Sequence, residues 1–262
     1  MSPEREPADD RRFTLATDLD GTFLGGKAED RTRLYRWIEE NRDSVRLIFV
    51  TGRDPEFIGR TCAEGTLPWP EFVIGDVGTT IARVAPDRSI APIEALEHEI
   101  AARWNDSGPQ VRERLGNVSG LNVQQTPFRY RVSYHYDPEL FDPVAHDIVA
   151  ELGLDVLISD DRFLDVLPPG VSKGPSLLRL LAHLGVPRGC TLAAGDTLND
   201  LSMLVAGTYA VAVGGSEAPL LQALPSRPEI LRARGLGAAG IAEAITHFNL
   251  HTESGEILSD AV

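Results

Sequence analysis

The sequence predicts an α/β protein with a Rossmann-like doubly wound parallel sheet as its core and an inserted α+β cap domain. Three observations favour this fold. Short apolar runs, of the kind that parallel sheets bury on both faces, alternate with amphipathic helical segments near both ends of the chain. Between these regions the pattern changes to helix-strand-strand, twice in succession. The alternation resumes after Pro168-Pro169-Gly170, so a discontinuous core surrounds an insertion.

The first segment of the predicted core covers residues 12–83. Its predicted elements are strands over 13–18, 45–50, 71–75 and 79–84 and a helix over about 31–41. The strand over 45–50 is a nearly continuous apolar run, which is typical of a strand with both faces covered. Asp54 and Pro55 after it are typical of a helix cap and the first residue of a helix.

Residues 84–167 are predicted to form the inserted cap domain. Its predicted elements are helices over 93–104 and 143–152 and strands over 120–126, 129–137, 154–159 and 162–167. Two helix-strand-strand units make a small α+β sheet with helices on one face, an arrangement that suits a lid.

The predicted core resumes over 168–250, and the stretches over 1–11 and 251–262 are predicted tails. Its predicted elements are helices over 175–184, from about 198 and over 237–248, and strands over 190–195 and 208–213. Leu177, Leu178, Leu181 and Leu184 of the first of these helices are predicted to lie on its buried side.

Composition excludes several classes of function. The chain of 262 residues has no apolar run near the ~18–20 residues of a membrane helix, and its charged first residues do not resemble a signal peptide. A net charge of −14 argues against general binding to nucleic acid or to anionic membranes. Cys62 and Cys190 are too few for a disulfide framework. We therefore expect a cytoplasmic protein that acts on a small molecule.

The most informative motif is Asp18-Leu19-Asp20-Gly21-Thr22, which closes the first predicted strand. Ligands of α/β sheets bind outside the carboxyl ends of the strands, so we expect both carboxylates at the ligand-binding edge. Two carboxylates this close repel each other unless a cation or a proton lies between them. The motif therefore predicts either a metal site or an acid/base pair.

Two further segments are expected at the same edge. Thr51 ends the second strand in a Thr51-Gly52-Arg53 turn, where its hydroxyl and the neighbouring amides can bind a phosphate oxygen. Asp196 and Asp200 follow a later strand in a G-D-T-L-N-D segment and can bind one cation together. The alternative for each segment is ordinary helix capping, which favours the same residue types.

Lys173 immediately precedes the leucine-rich helix, and lysine is scarce in this chain. Only Lys27 and Lys173 occur among the 25 basic residues. A cation is unfavourable at a helix N-terminus unless a carboxylate or a bound anion faces it. A solvated surface lysine is the alternative, but the scarcity of lysine favours a functional role.

The order of these motifs, D-x-D-G-T, T-G-R, a single lysine and G-D-x-x-N-D, resembles the four motifs of the haloacid dehalogenase superfamily over nearly the whole chain. The insertion is similar to the type IIB cap of that superfamily. Within it, the chain most resembles the sucrose-phosphate phosphatases and related sugar phosphatases. The stretches that carry this finer likeness are 75–80, 130–134 and 164–168. Asp76 and Ser172 depart from the residues frequent in these relatives.

The resemblance implies a phosphatase that works through an aspartyl-phosphate. Asp18 would attack phosphorus, and Asp20 would protonate the leaving oxygen and later activate water. Mg²⁺ would be held by the carboxylates of Asp18, Asp196 and Asp200 and by the backbone carbonyl of Asp20. Lys173 would join this catalytic set.

The other implied site residues would bind the substrate or orient charged groups. Thr51 would hold the transferring phosphoryl oxygens, and Asn199 would orient the lysine or an aspartate. Gly52 and Arg53 are further substrate-binding candidates beside Thr51. In the cap, the candidates for binding sugar hydroxyls are Arg129, Arg131, His135, Asp161 and Arg162, with Arg131 preferred.

The sequence thus predicts a Mg²⁺-dependent phosphatase whose substrate is a sugar phosphate, such as sucrose 6-phosphate or a phosphorylated glycosyl compatible solute. A phosphomutase acting on hexose phosphates, a mannosyl- or glucosyl-3-phosphoglycerate phosphatase and a non-catalytic sugar-phosphate sensor stay open as alternatives. A receiver-type signalling domain uses similar residues, but it has no inserted lid. Neither the sugar nor the oligomeric state follows from the sequence.

Overall fold

The computed structural model describes residues 13–126, 128–159 and 161–252. The chain divides into two compact units, which are treated separately below. The core unit consists of Met1–Pro92 and Lys173–Val262, and the inserted unit is Ile93–Ser172. In the described part of the chain, no helix combines the length and the apolar character needed to cross a membrane.

Strands and helices are numbered along the chain. The strands are β1 (Phe13–Thr17), β2 (Val45–Val50), β3 (Phe72–Gly75), β4 (Thr80–Val84), β5 (Ile90–Pro92), β6 (Leu121–Val123), β7 (Val132–Tyr136), β8 (Asp155–Ser159), β9 (Phe163–Leu167), β10 (Thr191–Gly195), β11 (Tyr209–Gly214) and β12 (Ile230–Leu236). The helices are α1 (Ala28–Glu40), α2 (Pro55–Ala63), α3 (Glu94–Trp104), α4 (Gly108–Leu115), α5 (Val144–Glu151), α6 (Lys173–Leu184), α7 (Leu201–Leu204), α8 (Ala218–Ala223) and α9 (Ala238–His247).

The core unit is built on an eight-stranded sheet in the order β12-β11-β10-β1-β2-β3-β4-β5. The strands from β12 to β3 are parallel, and β4 and β5 extend the sheet in antiparallel fashion. Every residue of β1 and β2 is buried, which explains their continuous apolar sequences. Leu34 of α1 and Ile241 of α9 pack in one cluster with Phe13 and Leu15 of β1. The predicted α/β class with a parallel sheet is confirmed.

The order of the strands brings the candidate residues to one edge. β1 lies between β10 and β2, and all three are parallel, so their carboxyl ends point the same way. The register pairs Thr17 with Ala194 on one side and with Phe49 on the other. The segments that follow these strands therefore leave the sheet beside one another.

Several elements of the core differ from the prediction. The inserted unit begins at Ile93 rather than at 84, because residues 84–92 complete an antiparallel hairpin of β4 and β5. The helix predicted from about 198 is a 3₁₀ turn over Leu198–Asp200 followed by the four-residue α7. Strand β12 and helix α8 were not predicted. The cap predicted at Asp54 is confirmed, since its carboxylate accepts the Phe57 N–H at 2.7 Å.

The predicted C-terminal tail was wrong at its first residue. His251 is buried, its ring stands edge-on to Trp37, and its Nε2 lies 2.8 Å from the Ser44 hydroxyl. The predicted tails over 1–11 and 253–262 lie outside the described residues.

The inserted unit contains an antiparallel sheet in the order β6-β7-β9-β8. Val111 of α4 and Val149 of α5 pack in one cluster with Tyr134 of β7 and Leu164 of β9. The predicted repeat of helix-strand-strand was incomplete, because α4 lies between α3 and β6. The sequence pattern that indicates α4 is Pro109 in the first turn followed by apolar residues four apart.

Candidate active site

The site begins with Asp18, the residue directly after β1. Its backbone N–H donates to the carbonyl of Ala194 at 2.9 Å, which continues the β1–β10 ladder by one bond. The chain then turns through Leu19–Phe23, where Gly21 has a φ of 81°. The carboxylate of Asp18 is thus fixed at the edge of the sheet by the last bond of a buried strand, and the residue is only 5% exposed.

Lys173 holds two of the predicted carboxylates. Its Nζ donates to Oδ1 of Asp18 at 2.7 Å and to Oδ1 of Asp200 at 2.6 Å. Lys173 is 1% exposed and Asp200 is fully buried. The lysine is the first residue of α6, so these carboxylates offset the unfavourable position of a cation at a helix N-terminus.

The loop after β10 supplies two of the three carboxylates, Asp196 and Asp200. Oδ2 of Asp200 accepts the N–H groups of Asp196 at 2.9 Å and Thr197 at 3.0 Å, which closes the loop on itself. Oδ1 of Asp196 accepts the hydroxyl of Thr22 at 2.6 Å. A Cβ on Gly21 would lie 2.1 Å from Oδ2 of Asp196, so this position has no room for a side chain. The first motif and the fourth are therefore packed directly against each other.

Burial and mutual repulsion dominate the electrostatics of this cluster. Burial raises the pKa of Asp18 to about 8, with the nearby Asp200 adding to the rise and Lys173 opposing it. Burial likewise raises the pKa of Asp196 to about 6. Burial lowers the pKa of Lys173, but the attraction of Asp18 and Asp200 outweighs it, so that pKa lies above its ordinary value. The lysine therefore stays charged beside Asp18.

The cluster fits a hard divalent cation. Asp18, Asp196 and Asp200 each offer a carboxylate oxygen, and these oxygens lie within 4.8 Å of one another. Three carboxylates and one ammonium leave a surplus of negative charge, and the repulsion from Asp200 adds to the effect of burial in raising the pKa values of Asp18 and Asp196. Oxygen ligands of this kind are those that Mg²⁺ prefers. A ligand role for the Asp20 backbone carbonyl stays a prediction.

Asp20 does not join the carboxylate cluster. Its side chain is half exposed and binds Arg53, whose Nε and Nη2 donate to the two carboxylate oxygens at 2.9 and 3.1 Å. The structure therefore separates the two carboxylates of the D-x-D motif into a buried group and an accessible one. Such a separation suits different chemical roles for two neighbouring acids.

The turn after β2 lies as predicted at the same edge. Thr51 is fully buried, and its hydroxyl oxygen accepts the N–H of Arg53 at 3.2 Å, so the hydroxyl proton can be donated to a ligand. Gly52 is exposed. Asn199 is half-buried, and its Oδ1 has no hydrogen-bond partner among the described residues. The predicted contact of Asn199 with the lysine or an aspartate stays a prediction.

Arg131, the preferred sugar-binding candidate of the cap, is paired with a buried carboxylate. Arg131 is buried, donates to Oδ1 of Asp165 at 3.1 Å and stacks on the ring of Phe128 at 3.6 Å. Ser133 donates to the same carboxylate oxygen. The expectation that Arg129 and Arg131 share a strand face was wrong, because β7 begins only at Val132.

The other cap candidates lie apart from this pair. Arg129 forms an ion pair with Glu97 and lies over the ring of Tyr130. His135 and Arg162 both contact Phe163, and Asp161 is an exposed residue with a φ of 45°. These contacts leave their predicted sugar-binding role untested.

The sequence analysis missed Glu217. Its Oε2 accepts the N–H of Leu198 at 3.1 Å, and its own N–H donates to the carbonyl of Asp196 at 2.9 Å. Glu217 therefore holds the 196–200 loop from the segment after β11. No local pattern marks this residue, because its partners lie about twenty positions earlier in the chain.

With this geometry in place, comparison with known proteins identifies the family. A model described as sucrose-6F-phosphate phosphohydrolase matches residues 11–249. The chain belongs to this family. The predicted membership of the haloacid dehalogenase superfamily is confirmed with it.

Three of the curated relatives that this chain resembles have names that refer to sugar phosphates. A glucosylglycerol-phosphate synthase from Pseudomonas anguilliseptica is 41% identical over 92% of this chain, which spans 31% of that protein. Sucrose-phosphatase 2 of Nicotiana tabacum is 30% identical over 91% of the chain, which spans 60% of it. A mannosylfructose-phosphate phosphatase from Agrobacterium fabrum is 26% identical, with 90% of this chain and 97% of that protein covered.

The fold also matches a solved structure. The sucrose-phosphatase from Synechocystis sp. PCC6803, in complex with sucrose and phosphate, superposes with a TM-score of 0.80 at 24% identity. The match covers 91% of this chain and 98% of that one.

Proposed function

We propose that this chain is a Mg²⁺-dependent phosphatase that hydrolyses a phosphomonoester of a glycoside through an aspartyl-phosphate. The observation that carries the proposal is the contact of Asp18 with Lys173 inside a cluster of three carboxylates, two of them buried, in a chain of a phosphohydrolase family. Asp18, Asp196 and Asp200 would hold Mg²⁺. The ion would offset the negative charge of carboxylates and phosphate, since each such pair at ~4 Å repels by about 4 kcal/mol at an effective dielectric of ~20.

In the first step, an oxygen of Asp18 attacks phosphorus and the bond to the sugar oxygen breaks. Lys173 already binds Oδ1 of Asp18, so Oδ2 is the oxygen proposed for the attack. Asp20 gives its proton to the leaving oxygen. The proposed products are the free sugar and a phosphorylated Asp18.

In the second step, water hydrolyses the aspartyl-phosphate. Asp20 is a carboxylate after the first step and takes a proton from the water that attacks phosphorus. The bond between phosphorus and the Asp18 oxygen then breaks, which returns Asp18 to its starting form and releases inorganic phosphate. The Thr51 hydroxyl, with its proton available, donates to a phosphoryl oxygen during both steps.

The proposed substrate class comes from the names of the relatives. Sucrose phosphate, mannosylfructose phosphate and glucosylglycerol phosphate are all phosphorylated glycosides. We propose glucosylglycerol phosphate as the first substrate to test, because the relative that carries this name shares 41% identity with the chain. We do not propose the synthase reaction of that relative for this chain, because the chain spans only 31% of that protein. The cytoplasm remains the proposed location, and neither nucleic acid nor membrane is a proposed partner.

Release of inorganic phosphate from a panel of sugar phosphates tests the proposal. With Mg²⁺ present, a phosphorylated glycoside should release phosphate faster than hexose monophosphates do, and chelation should stop the reaction. Asp18→Asn is the matched inactive control. Interconversion of hexose phosphate isomers without net phosphate release would favour a mutase instead. Binding without turnover would indicate a sensor.

A further inference from the structure

We propose that Arg53 is a positioning residue that sets the direction of the Asp20 carboxylate during proton transfer. The inference rests on the proposed function, because Asp20 needs a defined direction only if it exchanges a proton with the leaving oxygen. It differs from the sequence-based expectation that Arg53 binds the substrate. The two roles predict different kinetics.

The contact between the two residues is bidentate. Nε of Arg53 lies 2.9 Å from Oδ2 of Asp20, and Nη2 lies 3.1 Å from Oδ1. A planar guanidinium that binds both oxygens fixes the plane of the carboxylate as well as its position. In the described part of the chain, no other side chain hydrogen-bonds this carboxylate.

Arg53 is itself held in place. Its guanidinium carbon lies 4.7 Å from the centroid of the Phe57 ring, on the first turn of α2. Its backbone N–H donates to the Thr51 hydroxyl at 3.2 Å, and its carbonyl accepts the N–H of Asp76 at 3.0 Å. The arginine therefore links Asp20 to the loop that is proposed to hold the phosphoryl group.

The backbone around Asp20 does not provide the same control. Asp20 lies in the irregular turn Leu19–Phe23, with ψ at 122°, and its side chain projects to solvent as well as to Arg53. A half-exposed ion pair adds little to folding stability. The bidentate contact is therefore explained better by orientation than by stability.

A guanidinium can release one oxygen of Asp20 and keep the other. The released oxygen is then able to reach the leaving oxygen of the substrate while Arg53 still guides the side chain. After the bond to the sugar oxygen breaks, Asp20 has lost its proton and can again bind both donors, in position to accept a proton from water. A lysine has no fork of this kind and would hold one oxygen only.

The test compares two substrates whose leaving groups need protonation to different degrees. The first is the phosphorylated glycoside that the unaltered protein hydrolyses best, whose alkoxide must be protonated as it leaves. The second is p-nitrophenyl phosphate, whose leaving group departs with little protonation. We expect Arg53→Ala to lower kcat about 10- to 100-fold on the glycoside and less than about 3-fold on p-nitrophenyl phosphate, within the range of general acid catalysis. KM for the glycoside should change little.

A double-mutant cycle adds a second, independent readout. In the Asp20→Asn background, Arg53→Ala should cause no further loss of kcat, because the group it positions is already gone. Arg53→Lys should recover part of the loss on the glycoside. Arg60→Ala is the matched control, since Arg60 lies over the same Phe57 ring at 5.9 Å without contacting Asp20. It should keep full activity, and thermal unfolding should be unchanged in all variants.

Three results would overturn the proposal. Equal losses of kcat on both substrates would mean that Arg53 binds phosphate or supports the fold. A raised KM at constant kcat would lead to the same conclusion. A full additional loss in the Asp20→Asn background would show that Arg53 acts independently of Asp20. If the unaltered protein with Mg²⁺ releases phosphate from neither substrate, the proposed function fails, and this inference fails with it.

Discussion

The two units of this protein each bury a charged cluster, and the clusters differ in charge balance. In the core unit, Lys173 contacts Asp18 and Asp200, and a carboxylate oxygen of Asp196 lies within 4.8 Å of an oxygen of each of these two aspartates. In the inserted unit, Arg131 forms a buried ion pair with Asp165. The core cluster has two more negative charges than positive ones when its groups are ionised, whereas the Arg131–Asp165 pair is balanced.

This difference in charge balance separates the proposed active site from a structural contact. A buried charge is costly unless it is paired, so a balanced pair can satisfy itself within the fold. The core cluster cannot, and burial raises the pKa of Asp18 to about 8. A surplus of buried negative charge must be met by protons or by a cation, which is what a catalytic metal site requires. Charge balance therefore distinguishes the two clusters where burial alone does not.

The largest expected effect comes from removing the central carboxylate of the core cluster. Asp18→Asn should lower phosphate release more than about 10³-fold, because an amide cannot act as the nucleophile. The fold should survive, since the substitution reduces a surplus charge. The measurements are phosphate release and thermal unfolding. Substantial remaining activity with an unchanged melting temperature would contradict the covalent mechanism.

A second large effect is expected where the two halves of the core cluster touch. Gly21→Ala places a Cβ 2.1 Å from Oδ2 of Asp196, so it should displace this proposed metal ligand and lower activity about 100-fold. Gly185→Ala is the matched control, because Gly185 has a similar positive φ of 68° but no atom within 4 Å of the added Cβ. The control should lose some stability and keep its kcat. Equal loss of activity in both variants would mean that backbone strain, not the clash, is responsible.

The balanced pair should affect stability rather than chemistry. Arg131→Met leaves Asp165 buried without its guanidinium partner and should lower the free energy of unfolding by about 3–5 kcal/mol. Adding Asp165→Leu should recover much of that loss. Denaturant unfolding measures the free energy of unfolding of the single and the double variant. The stabilisation by Mg²⁺ should be the same in both variants. A change in sugar preference without a loss of stability would return Arg131 to the substrate-binding role expected from the sequence.

The smallest expected effect is the dependence of stability on pH and Mg²⁺. Burial raises the pKa of Asp18 in the folded protein from its ordinary value of 3.8 to about 8, so the folded protein holds this proton more tightly than the unfolded chain does. Without metal, stability should therefore fall as pH rises between these values. Mg²⁺ at about 100 times its Kd should add about 2.7 kcal/mol, and the gain should grow with pH. Thermal unfolding with Mg²⁺ or chelator from pH 5 to 8 measures this, and a pH-independent gain would contradict it.

Local pattern was enough to predict much of the fold and the candidate residues of the site. Buried parallel strands have distinctive apolar runs, and the motif residues directly follow them, so β1, β2 and β10 and the candidate residues after them could be predicted. Elements with weaker patterns were missed. Strand β12 alternates partly buried and exposed residues, and α4 is only eight residues long. The capping geometry at Asp54 was predictable because it depends on neighbouring residues alone.

The sequence by itself therefore determined which residue types stand at the strand ends, because that depends on short-range pattern. Only the tertiary structure decided which of them meet. Lys173 reaches Asp18 across 155 positions, Thr22 reaches Asp196 across 174, and Arg53 binds the second carboxylate of the motif across 33. Such contacts are set by the order and register of the strands and by the direction of each side chain. No spacing along the chain contains that information, since hydrogen bonds are made between atoms that are close in space.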